Sequence, residues 1–194
     1  MKKKAEIRYI KPHFECGRIE SIPLDLLIAQ GITRLGFDWD GTLMGQKVSS
    51  LHPNFHSRLA ELKHFLAEAK IRGIEEVVIL SNVGLPLPWL IYRTHLARRH
   101  LKVHVIRVYI GQLKPKPIAF ERMMAAFTYG ATKENTAFIG DRIDTDILGA
   151  AEFGLTTVWI TDSLHEGFRS RLKKKKIVPI AQRHFQEDSS ESGT

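Results

Sequence analysis

Five short apolar runs recur along the chain, at Ile32 to Phe37, Val77 to Leu80, Val103 to Val108, Thr136 to Ile139 and Thr156 to Ile160. Strands buried on both faces read as continuous apolar runs, whereas half-exposed strands alternate. The stretches between them carry helical spacing. After Pro53, Phe55, Leu59, Leu62, Phe65, Leu66 and Ala69 recur on one stripe, and Gly73 supplies a stop. A second helix is expected from Pro88 to His100. A third opens at Pro117, carries Phe120, Met123, Met124 and Phe127, and closes near Gly130. A fourth runs to about Phe153 before Gly154. Strand and helix in strict turn predict an α/β fold, a doubly wound parallel sheet with helices on both faces.

The chain has 194 residues, enough for one domain with a sizeable core. Residues 1–31 read as a basic lead-in, irregular at first and then a short helix near Leu24 to Ala29 closed by Gly31. Residues 32–180 read as the core, and 181–194 as a disordered tail, acidic and serine-rich from Gln186 onward. Arg169 to Lys176 forms a further basic run. No apolar segment approaches the roughly 20 residues that span a bilayer. The basic N-terminus lacks the apolar stretch of a secretion signal, so the expected location is the cytoplasm. Cys16 is the single cysteine, which rules out an intrachain disulfide and disfavours a cysteine-based zinc site. The net charge of +8 points to an anionic partner: a phosphorylated metabolite, nucleic acid or a membrane surface.

In open α/β sheets, ligands bind beyond the carboxyl ends of the strands. The first core strand ends in Asp38-Trp39-Asp40-Gly41-Thr42. If strand geometry persists through Trp39, the two carboxylates face one point, and a hard cation is the natural compensation. Ser81 and Asn82 follow the second strand and Asp141 and Asp146 the fourth, while Lys114 precedes a helix. Carboxylates can hold magnesium, a lysine can neutralise phosphoryl oxygens, and a hydroxyl can hydrogen-bond them.

This ordered set resembles the haloacid dehalogenase (HAD) superfamily of aspartate-nucleophile phosphatases. The matching residues are Asp38-x-Asp40-Gly41-Thr42, Ser81-Asn82, Lys114, and Gly140-Asp141 with Asp146. The resemblance implies Asp38 as nucleophile forming an aspartyl phosphate, and Asp40 as acid and then base. It implies Mg2+ held by Asp38, the Asp40 carbonyl and Asp141, with Ser81, Asn82 and Thr42 toward the substrate and its loop. Asp146 would support Lys114. Lys116 competes with Lys114, and Asp144 with Asp146; the family spacing favours Lys114 and Asp146. His52 and His56 have a metal-like spacing but read as surface residues, and Trp89, Tyr92 and Trp159 read as packing.

Neither gap between the first three motifs has room for a folded cap domain. Among capless members, the chain is similar to the phosphatidylglycerophosphate phosphatases of bacteria and mitochondria, through the lead-in with Pro12 and Phe14, the Leu24 to Gly31 segment, Lys114-Pro115 and Gly140-Asp141-Arg142-x-x-Thr145-Asp146. Gly41 stands where many relatives carry Asn. The implied substrate is a lipid phosphate, with peripheral contact between the basic lead-in and an anionic membrane. The rival reading is a phosphatase of soluble sugar phosphates or nucleotides. A response-regulator receiver is disfavoured because no Asp follows the third strand. A nucleic-acid-binding module has charge alone in its favour, so no nucleic acid is expected. The sequence carries no signal for an oligomeric state.

Overall fold

In the computed structural model, which describes residues 11–44, 53–84, 88–128 and 130–162, six strands form one fully parallel sheet. They are β1 (Phe14–Cys16), β2 (Arg34–Phe37), β3 (Glu76–Gly84), β4 (His104–Tyr109), β5 (Thr136–Gly140) and β6 (Thr156–Ile160), in spatial order β1-β6-β5-β2-β3-β4. The helices are α1 (Leu24–Ala29), α2 (Pro53–Arg72), α3 (Pro88–Leu101), α4 (Pro117–Met124) and α5 (Leu148–Phe153). After β4 the chain crosses to the far side of β2, so the order reverses between β2 and β5. That reversal opens a crevice at the carboxyl ends of these two strands.

Alternating side chains of each strand feed two separate cores. Ile79, Ala137 and Ile139 join Leu62 and Phe65 of α2 and Leu96 of α3 on one face. Val78, Leu80 and Phe138 join Phe120 and Met123 of α4 and Ala150 of α5 on the other. The central runs of β3 and β5 are therefore apolar on both sides, as their continuous apolar sequences foretold. Phe37 meets Phe65 edge to face at 6.0 Å, a pairing worth about 1 kcal/mol beyond the area it buries.

The structure departs from the sequence reading in five places. Part of the irregular lead-in is a sheet strand, since β1 pairs with β6 through Phe14, Glu15 and Cys16. The segment is short, sits at an outer edge and carries a charge at its centre, so no apolar run betrays it. β2 stops at Phe37 and Trp39 lies in a turn, so strand geometry does not carry through to Asp40. β3 continues through Ser81 and Asn82 to Gly84, with an irregularity between Asn82 and Gly84, because β4 pairs with those residues. Helix α4 ends at Met124, short of Gly130. The segment after Asp141 opens as a π-helical turn, Ile143–Ile147, before α5.

The arm up to Arg8, the loop at 45–52 with His52, the Arg169 to Lys176 run and the C-terminal tail lie outside the described residues. So does the side chain of Trp89. Among the described residues, no helix is long and apolar enough to cross a membrane.

One histidine clips the edge strand in place. His13 Nδ1 accepts the backbone N–H of buried Thr157 at 3.1 Å and faces its hydroxyl at 2.9 Å. The ring is thereby neutral with its proton on Nε2, and burial holds its pKa below the usual histidine value. A depressed histidine pKa stabilises the fold above the unfolded value, and that stability is lost as pH falls through the folded value. Acidification through this window is expected to release β1 first, read as faster hydrogen exchange at the Thr157 amide. His13→Ala is expected to abolish that pH dependence.

Candidate active site

The crevice is built by four segments. Beyond β2, the Asp38 N–H donates to the Ile139 carbonyl at 2.9 Å, which fixes the Asp38 backbone against β5. The chain then folds into a tight loop: the N–H groups of Leu43 and Met44 both donate to the Trp39 carbonyl, and Gly41 N–H donates to Met44. Gly41 has φ +93°, a left-handed conformation that side chains resist, so a glycine at this turn has a conformational reason. Arg58 of α2 braces the loop, donating from Nε to the Leu43 carbonyl at 3.1 Å while its guanidinium pairs with Glu20 and Glu61.

Lys114 arrives from the segment between β4 and α4 and is buried. Its ammonium lies 2.5 Å from Asp38 Oδ1 and 2.7 Å from Asp146 Oδ1, with the Phe138 ring 5.1 Å away. Lys116 turns away and donates to the Gly111 carbonyl. Asn82 holds the Lys114 backbone, accepting its N–H at 3.0 Å and facing its carbonyl with Nδ2 at 3.4 Å. The Asn82 amide thus braces the lysine's main chain; Ser81 beside it is buried.

Asp141 follows β5 directly. Its Oδ1 accepts the Thr42 hydroxyl at 3.1 Å, and its carbonyl accepts Trp159 Nε1 at 3.0 Å. Thr42 therefore ties the Trp39 to Met44 loop to Asp141, and Trp159 braces the Asp141 backbone as well as packing. The π-helical turn swings Asp146 back over the strand end, where Oδ2 accepts the Arg142 N–H at 3.1 Å. A Cβ on Gly140 would sit 2.4 Å from the Asp146 Cβ, so this approach demands a residue with no side chain. Asp144 pairs with Arg142 at the surface instead.

Asp38, Asp141 and Asp146 are all buried, and each offers an oxygen within 4.8 Å of the others. Burial drives the Asp38 carboxyl well above the usual range, against the pull of Lys114, and the Asp146 and Asp141 charges add to the rise. Burial works against the Lys114 ammonium, yet the two carboxylates beside it keep its pKa above the usual lysine value. Lys114 pairs with Asp38 and Asp146, and Asp141 brings a third carboxylate oxygen within reach of both acids. An all-oxygen, anionic donor set of this kind fits a hard divalent cation. Asp40, half-buried at the loop, bridges to Met44. His56 is exposed, apart from this cluster.

Arg58 and the Trp159 contact stand outside the residues singled out from the sequence. Neither has a local signature, because each acts on a main-chain carbonyl brought near only by folding.

A family model described as mitochondrial PGP phosphatase matches residues 3–165. A phosphoserine phosphatase of Thermus thermophilus is 31% identical over 104 residues, covering 54% of this chain and 41% of that protein. A dihydroxyacetone phosphatase of Corynebacterium glutamicum is 41% identical over 58 residues, covering 30% of this chain and 20% of that protein. The chain thus spans well under half the length of these relatives. Among solved structures, a magnesium-bound HAD hydrolase, YfnB of Bacillus subtilis, aligns with TM-score 0.40 and 14% identity, covering 66% of this chain and 86% of that one. The matched region begins ahead of β1, so the family pattern takes in the lead-in with the sheet.

Proposed function

This chain belongs to the mitochondrial PGP phosphatase family of the HAD superfamily, and we propose on that footing that it is a magnesium-dependent phosphomonoester hydrolase. Its substrate in this reading is phosphatidylglycerophosphate, converted to phosphatidylglycerol and phosphate. The observation that carries the proposal is the meeting of Asp38, Asp141, Asp146 and Lys114 in one buried cluster at the strand-order reversal.

The chemistry follows from the groups present. Asp38 Oδ attacks phosphorus in line, the phosphorus–oxygen bond to the glycerol breaks, and an aspartyl phosphate forms. Asp40 gives its proton to the departing alkoxide oxygen and then takes one from the water that hydrolyses the aspartyl phosphate. Lys114, held by Asp146 and by Asn82 on its backbone, places a fixed positive charge beside the nucleophile, where charge on the transferring oxygens is neutralised. Ser81 adds a hydroxyl at the same rim. A Mg2+ held by Asp38, Asp141 and the Asp40 carbonyl would screen the anionic substrate from the anionic nucleophile. Thr42 keeps the Asp141 oxygen aimed into the site.

The described residues contain no domain inserted over the crevice: α2 alone separates β2 from β3, and α3 alone separates β3 from β4. An uncovered mouth suits a phosphate presented at a bilayer surface. The competing substrate class is a soluble phosphate, favoured by the likeness to a phosphoserine phosphatase and a dihydroxyacetone phosphatase. Phosphate release from phosphatidylglycerophosphate vesicles is measured beside a panel of phosphoserine, sugar phosphates and nucleotides. Turnover concentrated on the lipid supports the proposal; preference for any soluble compound contradicts it.

A further inference from the structure

The loop that carries Asp40 closes on itself. The N–H groups of Leu43 and Met44 reach the Trp39 carbonyl at 3.2 and 2.9 Å, and the Gly41 N–H reaches the Met44 carbonyl at 2.8 Å. Asp40 sits inside this ring, bridged to Met44. The peptide between Leu43 and Met44 is gripped from both ends, its N–H by the Trp39 carbonyl and its own carbonyl by Arg58 Nε at 3.1 Å. A peptide unit held at both polar ends cannot turn without losing a hydrogen bond. Its orientation therefore helps to set where the ring holds Asp40.

Arg58 is itself held. Leu59 and Leu62 bury one stripe of α2, and the Arg58 side chain, 16% exposed, lies against the loop. Its Nη1 donates to Glu20 at 2.6 Å and to Glu61, one helical turn further on, at 2.8 Å. Glu20 comes from the 3-10 turn Ile19–Ser21 that follows β1, a turn pinned by buried Ile19 and Ile22. Pairs with carboxylates as exposed as these contribute about 0–1 kcal/mol to stability. Their larger effect is on direction, because they fix the guanidinium while Nε faces Leu43.

The nucleophile does not use this anchor. Asp38 is set by its own N–H on the Ile139 carbonyl and by the Lys114 ammonium. We infer that Arg58 is a positioning residue for Asp40, acting through the Leu43 carbonyl, and that Glu20 of the lead-in keeps Arg58 aimed. The inference rests on the aspartyl-phosphate reading of the site and adds a separation of roles: Arg58 serves the proton-transfer group and not the nucleophile. In the first step Asp38 Oδ bonds to phosphorus as the ester P–O bond breaks, and the electron pair goes to the departing oxygen. A departing alkoxide needs the Asp40 proton, whereas p-nitrophenolate is stable enough to leave without it. In the second step water attacks phosphorus, Asp40 takes a proton from that water, and Asp38 departs as the carboxylate. Loosening Asp40 alone therefore slows both steps for an alkyl ester but only the second for p-nitrophenyl phosphate.

The test is rapid mixing of wild type, Arg58→Gln and Glu20→Gln with p-nitrophenyl phosphate in Mg2+, followed through the first turnover into the steady state. Arg58→Gln is expected to release a burst of p-nitrophenolate approaching one per chain, as fast as the first turnover of wild type. Its steady turnover is then expected to fall about a hundredfold, the lower end of what a positioned acid–base group contributes. Glu20→Gln is expected to show the same pattern with a smaller loss. Burst size counts intact nucleophile, so a variant that merely unfolds loses the burst as well as the steady rate. Equal slowing of burst and steady phases in Arg58→Gln, or a burst that shrinks in both variants, overturns the inference and leaves the phosphatase reading standing. A wild type that turns over substrate while its acid-quenched chain never carries phosphate sinks the aspartyl-phosphate reading, and this inference with it.

Discussion

Asp38→Asn is expected to lower turnover by about ten-thousand-fold or more, the scale seen when a nucleophile is removed from a preorganised site. The amide keeps the shape of the carboxyl, so Lys114 retains Asp146 at 2.7 Å and the loop from Trp39 to Met44 keeps its hydrogen bonds. Stability is expected to move the other way. Asp38 is buried among acids, and burial with the Asp146 and Asp141 charges disfavours its ionised form. Replacing it with a neutral amide relieves that repulsion, so Tm holds or rises while activity vanishes. Steady-state kinetics with parallel thermal melts checks both halves. A variant that is inactive and strongly destabilised would instead mean that Asp38 serves the fold.

The second large effect concerns Lys114. Lys114→Met keeps the volume but leaves Asp38 and Asp146 without their ammonium partner. Breaking a buried ion pair on one side costs about 3–5 kcal/mol, because the orphaned charges stay buried. Denaturant unfolding in a chelator is expected to show that loss. Added Mg2+ is expected to return about 2.7 kcal/mol at a hundredfold excess over its dissociation constant, since an ion bound only by the folded state stabilises it. Turnover falls by about a hundred- to a thousandfold even with the ion present, the usual effect of removing one fixed group from a charge-stabilising site. A melt unchanged by both substitution and ion would contradict the balance of charge assigned to this cluster.

The core of the sheet was legible because parallel strands buried on both faces leave continuous apolar runs, and Val77 to Leu80 or Thr136 to Ile139 admit few other readings. β1 was not. Phe14-Glu15-Cys16 is too short for a pattern, and its place is set by β6 and by His13 bonding Thr157, a contact across most of the chain. Ser81 and Asn82 read as lying just beyond the second strand because polar residues commonly end strands. They lie inside β3 because its partner β4 extends alongside them, and their polarity faces the crevice end of the sheet.

The candidate site was legible at the level of topology and of residue type. Strand-end acids and a lysine before a helix converge wherever the strand order reverses, so Asp38, Asp141 and Lys114 could be grouped from spacing and resemblance. Local chemistry alone left Lys114 and Lys116 open, since the two stand two positions apart and differ in which way the chain turns them; the family spacing favoured Lys114, and Lys114 is the one that meets Asp38. Likewise, the π-helical turn that brings Asp146 over Gly140 and leaves Asp144 outside has no periodicity of its own. Asn82 was expected to face substrate, and its amide is instead occupied by the Lys114 main chain. Thr42 was expected near substrate too, and its hydroxyl donates to Asp141. These are bracing contacts, which depend on tertiary distance more than on residue identity.

Turnover by this route requires Asp38 to become covalently bonded to the transferred phosphorus. Mixing the chain with substrate and Mg2+, quenching in acid within a turnover, and locating the phosphoryl group by peptide mass spectrometry measures this directly. A phosphorylated peptide with the group on Asp38 is expected, absent from Asp38→Asn. Turnover that proceeds with no phosphorylated Asp38, or with the group on another residue, would contradict it.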